Sequence, residues 1–366
     1  MFLIVDSHED LAWNLLTFER DYSRSAAETR QREKDQPMAV QAGEELLGWP
    51  DYQRGQVAVV FSTLFAAPAR RRVGKWENQI YPDNDYESAY RLYFAQLMAY
   101  HRLGEEYPEK FHMIQFISDL DELLSDWEKP TSTKKGHPVG LVVLMEGAEA
   151  IRSLDELDEW WSLGLRAIGP AWAGTRYCGG TLEPGPLSKE GHDLLDEMAK
   201  FNFALDLSHM DEEAALQALD AYPGPVMVSH GNCAALLPDV DTNRHLTDRL
   251  IRGILEREGV IGVVPYNRFL KAGWEKGDPR QGILLEHLLP HIDHICQMAG
   301  EASHVGIGSD FDGGFGLQSI PEDIDTIADL QNLVPLLTRR GYSEDDIASI
   351  LSGNWLDHLR SWLPES

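Results

Sequence analysis

Eight short runs of β-branched and apolar residues recur along the chain, separated by longer stretches with helical patterning, and this rhythm limits the fold more than any other feature. The runs are Phe2–Val5, Val57–Phe65, Val139–Met145, Leu165–Gly169, Phe203–Leu207, Val226–Ser229, Val260–Pro265 and Val305–Gly308. Within each run the apolar residues are nearly continuous rather than alternating, which is how strands buried on both faces read. Parallel strands need crossover connections, so the expected class is α/β and the expected architecture a (β/α)8 TIM-type barrel ringed by helices. An open doubly wound sheet is the alternative, because strand order is not written in the pattern. The connections after the first and second strands are much the longest and are expected to carry helical insertions. Glu19 to Gln36 reads as a helix or mobile loop above the barrel, and Tyr86–His101 as an amphipathic helix. No internal repeat, low-complexity tract or Ser/Pro-rich linker marks a boundary, so residues 1–366 are expected to form one barrel domain.

Acidic side chains outnumber basic ones 60 to 32, and a formal charge of −28 repels nucleic-acid phosphates and anionic lipid. Neither nucleic acid nor a membrane is therefore an expected partner. No apolar stretch approaches the ~20 residues a bilayer span requires, and Phe2–Val5 is far too short for a signal peptide, so the expected location is the cytoplasm. Cys178, Cys233 and Cys296 are odd in number, widely spaced and without a CxxC, which speaks against a disulfide framework or a thiolate metal site.

Ligand-type side chains collect where these strands end. Asp6-Ser7-His8-Glu9-Asp10 closes the first, and His8 and Asp10, two apart on extended backbone, project to the same side. Imidazole with carboxylate suits zinc or a neighbouring first-row metal. The third strand runs through Met145 straight into Glu146, a carboxylate costly to place beside apolar residues unless a cation or donor meets it; the plain alternative is that it exits into solvent. As a ligand, its two oxygens could bridge two metals. The fifth and sixth strands end alike, in Ser208-His209 and Ser229-His230, and for either histidine taken singly a hydrogen-bonded structural role is the alternative. Together, His8, Asp10, Glu146, His209 and His230 stand at the carboxyl ends of four strands, the face where barrel active sites assemble. The eighth strand leads into Ser309-Asp310-Phe311-Asp312-Gly313. Asp310 follows the strand directly and is favoured as the proton carrier, while Asp312 is the other candidate base or merely shapes the turn. His287 and His291 have an i, i+4 spacing but lack the glutamate of HExxH, and are expected to serve packing or the surface.

These motifs resemble the membrane (renal) dipeptidase family, a branch of the amidohydrolase superfamily. The family opens with an Asp-Gly-His-Asn-Asp type motif, matched here by Asp6-Ser7-His8-Glu9-Asp10 with departures at two positions that are not ligands. The resemblance continues through Glu146-Gly147, Leu205–His209, Ser229-His230, Arg244-His245-Leu246-Thr247-Asp248, His304 to Gly313 and Gly353-Asn354, in order over nearly the whole chain. It implies a metallo-dipeptidase in which His8 and Asp10 bind one zinc ion, His209 and His230 a second, and Glu146 bridges them, with a shared hydroxide as nucleophile. It also implies that Arg244 pairs with the free carboxylate of a small dipeptide-like substrate, and that the chain pairs as a homodimer. One departure matters. Where the family usually carries a histidine that binds the scissile carbonyl, alignment on Gly164-Leu165-Arg166 places Trp172, whose indole N–H donates one hydrogen bond but carries no charge. Trp172 and Tyr177 are expected to narrow the pocket and select side chains, with aromatic packing as the plain alternative.

The leading expectation is hydrolysis of a dipeptide, or a close amide analogue with a free carboxylate, at a binuclear zinc site. A second expectation keeps that site and moves the reaction to another amide, an N-acyl amino acid or a lactone, on account of Trp172. A third is a noncatalytic metal-dependent binding protein, against which the occupied ligand positions and Asp310 speak.

Overall fold

In the computed structural model, which describes residues 1–72, 76, 79–129 and 136–365, eight parallel strands close into a barrel. They are Ile4–Glu9, Val57–Phe65, Val139–Glu146, Leu165–Gly169, Ala204–Asp206, Val226–Val228, Val260–Val263 and Val305–Ile307. Each pairs in parallel with its successor, and the last returns to the first through Asp6 and Ile307. Closure excludes the open doubly wound sheet. All eight expected strands are present, but the first runs to Glu9 rather than stopping at Val5. The polar motif can stay in the strand because its side chains are tied there: the Ser309 amide donates to Asp6 at 2.7 Å, and Tyr52 Oη donates to Glu9 at 2.5 Å.

The strand residues divide into two alternating sets, each with its own core. Ile4, Val60, Leu141, Val143, Leu165, Ile168 and Leu205 pack in one layer with the surrounding helices. Val5, Val59, Phe61, Val142, Leu144, Ala167, Ala204 and Met227 gather in a second cluster with Trp355, Leu359 and Trp362. These last three belong to the helix Asn354–Trp362, which seals the barrel where the last strand begins: Asn354 Nδ2 donates to the carbonyls of Ala302 at 2.6 Å and Val305 at 2.7 Å. The indole of Trp355 donates to the Ile307 carbonyl at 3.1 Å. Burial on both sides explains why the strands read as continuous apolar runs.

Helical insertions follow the first and second strands as expected. Within Glu19 to Gln36 lies a helix, Ala26–Glu33, begun by a capping box between Ser25 and Glu28. The amphipathic helix of the second insertion spans Tyr86–Glu106. A short strand, Phe111–Met113, was not expected. It pairs with the third strand from Val139, on the stretch below Val143 where the fourth strand takes over. No helix among the described residues is long and apolar enough to cross a membrane.

Replacing Trp355 with alanine removes a fully buried indole from the inner cluster. The expected loss is about 3–5 kcal/mol, read from the urea midpoint at unchanged slope. A loss below about 1 kcal/mol would show that the lower end of the barrel closes without it.

Candidate active site

The five candidate ligands meet at the carboxyl ends of the strands. His8 Nε2 lies 3.8 Å from Asp10 Oδ2, 3.9 Å from Glu146 Oε1 and 4.0 Å from Asp310 Oδ1. Glu146 Oε1 is in turn 3.0 Å from His209 Nε2 and 3.5 Å from His230 Nε2, and those two nitrogens are 2.9 Å apart. The acceptor atoms thus form two trios that share Glu146: His8, Asp10 and Glu146 on one side, and Glu146, His209 and His230 on the other. Within each trio all atoms lie within 4.8 Å of one another, and Asp310 joins His8 and His230 in a third such group.

Backbone geometry aims these side chains. Glu146 is the last residue of the third strand, so its carboxylate emerges at the rim. His209 and Asp310 take left-handed conformations, with φ of 64° and 57°, which cost a residue with a Cβ about 1–2 kcal/mol. Such strain persists only where surrounding contacts hold it. The Asp310 amide donates to the His8 carbonyl at 3.1 Å, and Thr181 Oγ1 sits 2.9 Å from His209 Nδ1.

The electrostatics of the cluster point one way. Burial, then neighbouring Asp10, pushes the carboxyls of Glu146 and Asp310 well above the usual range, and burial followed by Asp312 raises Asp10 as well. Burial and then Arg244 hold His8 down to about 3, and burial puts His209 and His230 well below the usual imidazole value. Without a cation the acids therefore take up protons while the imidazoles stay neutral. His8 Nε2 and Asp10 Oδ1 are buried with no hydrogen-bond partner. Acceptors crowded together with no donor between them repel, and imidazole nitrogen with carboxylate oxygen is the set that zinc and other first-row divalent ions take. The residues fit a divalent metal.

A cavity of about 340 Å³ opens over the cluster, lined by Asp10, Glu146, His209 and Asp310 together with Arg244, Arg268, Trp13, Phe65, Trp172, Tyr266, Phe269 and Phe315. Arg244 is buried, with Nη2 donating to the His230 carbonyl at 3.1 Å, its Cζ 5.3 Å from the Phe269 ring and its Nη1 without a partner. Trp172 forms part of the wall, its ring 5.1 Å from Phe65 and 6.1 Å from His209. Tyr177 is a correction. It does not line this cavity; its hydroxyl donates to the Ile151 carbonyl at 3.1 Å, and it borders a different hollow with Tyr86, Arg152 and Arg176. Asp312 is also elsewhere, buried and engaged by the Tyr22 hydroxyl at 3.2 Å and the Leu46 amide at 3.4 Å. His291 serves packing, its Nδ1 accepting from the Cys233 amide at 3.1 Å.

The family model for membrane dipeptidases, peptidase family M19, matches residues 1–361. The chain belongs to the membrane dipeptidase family. Among its relatives, the dipeptidase tcpJ of Claviceps purpurea is 25% identical over 87% of this chain and 71% of its own length. An uncharacterized protein encoded in the pqqA 5′ region of Klebsiella pneumoniae is 31% identical over 56% of this chain and 75% of its own. The crystal structure of dipeptidase AC, an M19 metallopeptidase, superposes with a TM-score of 0.78 at 25% identity, covering 99% of both chains. This M19 chain is thus a peptide-bond hydrolase of a metal-dependent family, which sets aside the noncatalytic alternative.

Sequence reasoning named the histidines of this M19 site but not the residues that hold them. Asp206 is buried in the fifth strand and accepts from the Ser208 amide at 3.0 Å, Ser208 Oγ at 2.7 Å, the Ser229 amide at 2.9 Å and Ser229 Oγ at 2.6 Å. Ser229 Oγ also lies 3.1 Å from His8 Nδ1 and 2.9 Å from His230 Nδ1. The available signal was an acid between two leucines, Leu205-Asp206-Leu207, in a strand otherwise apolar.

A pH dependence follows for the metal-free protein. A carboxyl raised in the folded state contributes stability that is complete below about pH 4 and is lost as pH rises through its folded pKa; a depressed imidazole contributes stability above about pH 6.5 that is lost as pH falls. Above about pH 6.5 the cluster imidazoles are neutral folded and unfolded, so what still titrates is the raised buried acids, Asp10, Glu146 and Asp310 in the cluster together with Glu9 and Glu45. The chelated protein is expected to lose thermal stability from about pH 7 to about pH 9, and zinc to restore most at the upper end. A melting temperature unchanged over that interval would show that the acids are already ionised without metal.

Proposed function

We propose that the chain is a binuclear zinc dipeptidase whose substrate is a dipeptide, or a close amide analogue, with a free carboxylate. The observation that carries this reading is the sharing of Glu146 between two trios of buried acceptor atoms. Two zinc ions held by these sets would polarise the scissile carbonyl and make a water molecule acidic enough to attack it near neutral pH. His8, Asp10 and Glu146 would hold one ion, and Glu146, His209 and His230 the other.

Asp310 carries the proton. It is the most exposed of the clustered acids, its side chain 16% accessible, so it can face both the attacking water and the leaving amine. Ionised beside bound cations, its carboxylate would take the proton of the attacking water and return it to the leaving amine. Arg244 receives the substrate carboxylate through the unpartnered Nη1, with Nη2 already fixed on the His230 carbonyl so that little side-chain freedom is lost on binding. Trp172 walls the cavity beside His209, a shape constraint and one neutral donor in place of a histidine.

The first test is metal content of the purified protein with hydrolysis of a dipeptide library, L-D pairs included, before and after chelation and zinc return. About two metals per chain and cleavage restored by zinc are expected. Glu146→Gln is expected to abolish loading of the second ion and turnover, and normal turnover by that variant would sink the bridging role. A second reading, supported by Trp172, moves the same site to N-acyl amino acids, other amides or lactones. Two metals with a clear preference for those substrates would favour it. Trp172→His is expected to raise the dipeptide kcat at least about tenfold, since one oxyanion donor is worth about two to three orders of magnitude. A kcat that does not rise would show that the indole position is not where the carbonyl oxygen binds.

A further inference from the structure

One hydroxyl stands behind both halves of the metal cluster. Ser229 is fully buried, and its Oγ lies 2.6 Å from Asp206 Oδ2, 3.1 Å from His8 Nδ1 and 2.9 Å from His230 Nδ1. His8 belongs to one trio and His230 to the other.

The hydrogen count decides what these contacts are. Asp206 receives four donors, two backbone amides and two hydroxyls, which is the pattern of an ionised carboxylate acting only as acceptor. Ser229 has a single hydroxyl proton and gives it to Asp206. Its lone pairs then remain for the imidazoles, so both contacts run from Nδ1–H of the ring to Oγ. A neutral imidazole carries one proton, and with that proton on Nδ1 the Nε2 lone pair is bare. In both rings Nε2 is the atom that faces Glu146, at 3.9 Å from His8 and 3.5 Å from His230.

We propose that Ser229, anchored by Asp206, is a positioning residue that locks His8 and His230 in the Nδ1–H tautomer and so presents both Nε2 atoms to the metals. The assignment rests on the metal-ligand reading of these two histidines. Its function is pre-organisation: in water the Nε2–H form of histidine competes, and a ligand in that form must shift its proton before it can bind a cation. The two backbone amides on Asp206 come from Ser208 and Ser229, each one residue before a ligand histidine, so the same carboxylate also fixes the backbone that carries His209 and His230.

The test uses the full chain labelled with ¹⁵N-histidine. Long-range ¹H–¹⁵N spectra of the chelated protein report which ring nitrogen is protonated, with assignment by single substitution of His8 and His230. In the wild type both are expected as Nδ1–H. Ser229→Ala is expected to give mixed tautomers in both rings and to weaken zinc binding about 10- to 100-fold in competition with a chromogenic chelator; Ser229→Thr, which keeps the hydroxyl, is expected to retain both properties. An Nε2–H form of either ring in the wild type overturns the proposal, and so does an alanine variant with unchanged tautomers and zinc affinity, whatever its melting temperature. Should the alanine variant fail to fold, the wild-type tautomers and Ser229→Thr still decide. A wild type that binds no zinc while showing both Nδ1–H forms would instead overturn the metal reading.

Discussion

The mouth of this barrel is organised around an electrostatic conflict: three carboxyls and three imidazoles turn acceptor atoms toward one another in a space nearly closed to water. Each uncompensated buried charge costs several kcal/mol, so the fold must either protonate these acids or hold a cation among them. Among the described residues Arg244 is the guanidinium buried beside the cluster, and it is itself weakened as a cation by burial, with Asp310, Glu146 and Asp206 pulling the other way. The residues come from five strand ends that the closed sheet holds in fixed relation, which is why they cannot drift apart to relieve the repulsion. Left-handed backbone at His209 and Asp310 is a further cost borne at the same place.

The long insertions brace this rim. Arg20, from the first connection, forks onto Glu33 at 2.9 and 3.0 Å and touches Asn14 Oδ1 at 3.3 Å. That fixes the Asn14 amide, which donates to the carbonyls of Asp10 at 3.0 Å and Asp312 at 2.8 Å, and so stitches the loop after the first strand to the loop after the eighth. From the second connection, Tyr93 Oη donates to the Glu146 carbonyl at 2.7 Å. Tyr100 Oη reaches the Thr63 carbonyl at 2.8 Å. These are side chains donating to main-chain acceptors beside the ligands, and they make the insertions part of the site's scaffold.

Much of this was legible in the sequence because two strong periodicities coincide with chemistry: apolar runs mark the strands, and acids or histidines directly after them mark the rim. The runs placed all eight barrel strands, and Glu146 could be singled out because a carboxylate follows five apolar residues, Leu141 to Met145, without a break. What stayed hidden was set by three-dimensional pairing. Phe111–Met113 is three residues long and is a strand only because the third strand offers a free edge below Val143. Tyr177 sits five residues after Trp172, yet the antiparallel ribbon Cys178–Gly180 with Glu183–Leu187 begins there and carries it away from the cavity. Ser229 looked like the neighbour of a histidine; its bond to Asp206 crosses between adjacent strands and no spacing rule could pair them.

Trp172 follows from the same constraint. Its ring lies between Phe65 and His209 and packs, half-buried, against a satellite aromatic cluster that contains Trp13 and Phe18, so its neighbours hold it at the cavity wall. A histidine in that position would bring a second cation-forming group close to ligands that burial already keeps neutral, and would need water or a partner for its other nitrogen. The indole needs neither: it fills the wall with apolar surface and keeps a single donor. In the proposed reaction what is given up is charge-assisted binding of the carbonyl oxygen, and Arg244, its Nη2 already on the His230 carbonyl, is assigned to the substrate carboxylate. Carbonyl polarisation in the proposed reaction would therefore fall to the bound metals, with the indole N–H as a neutral donor beside them.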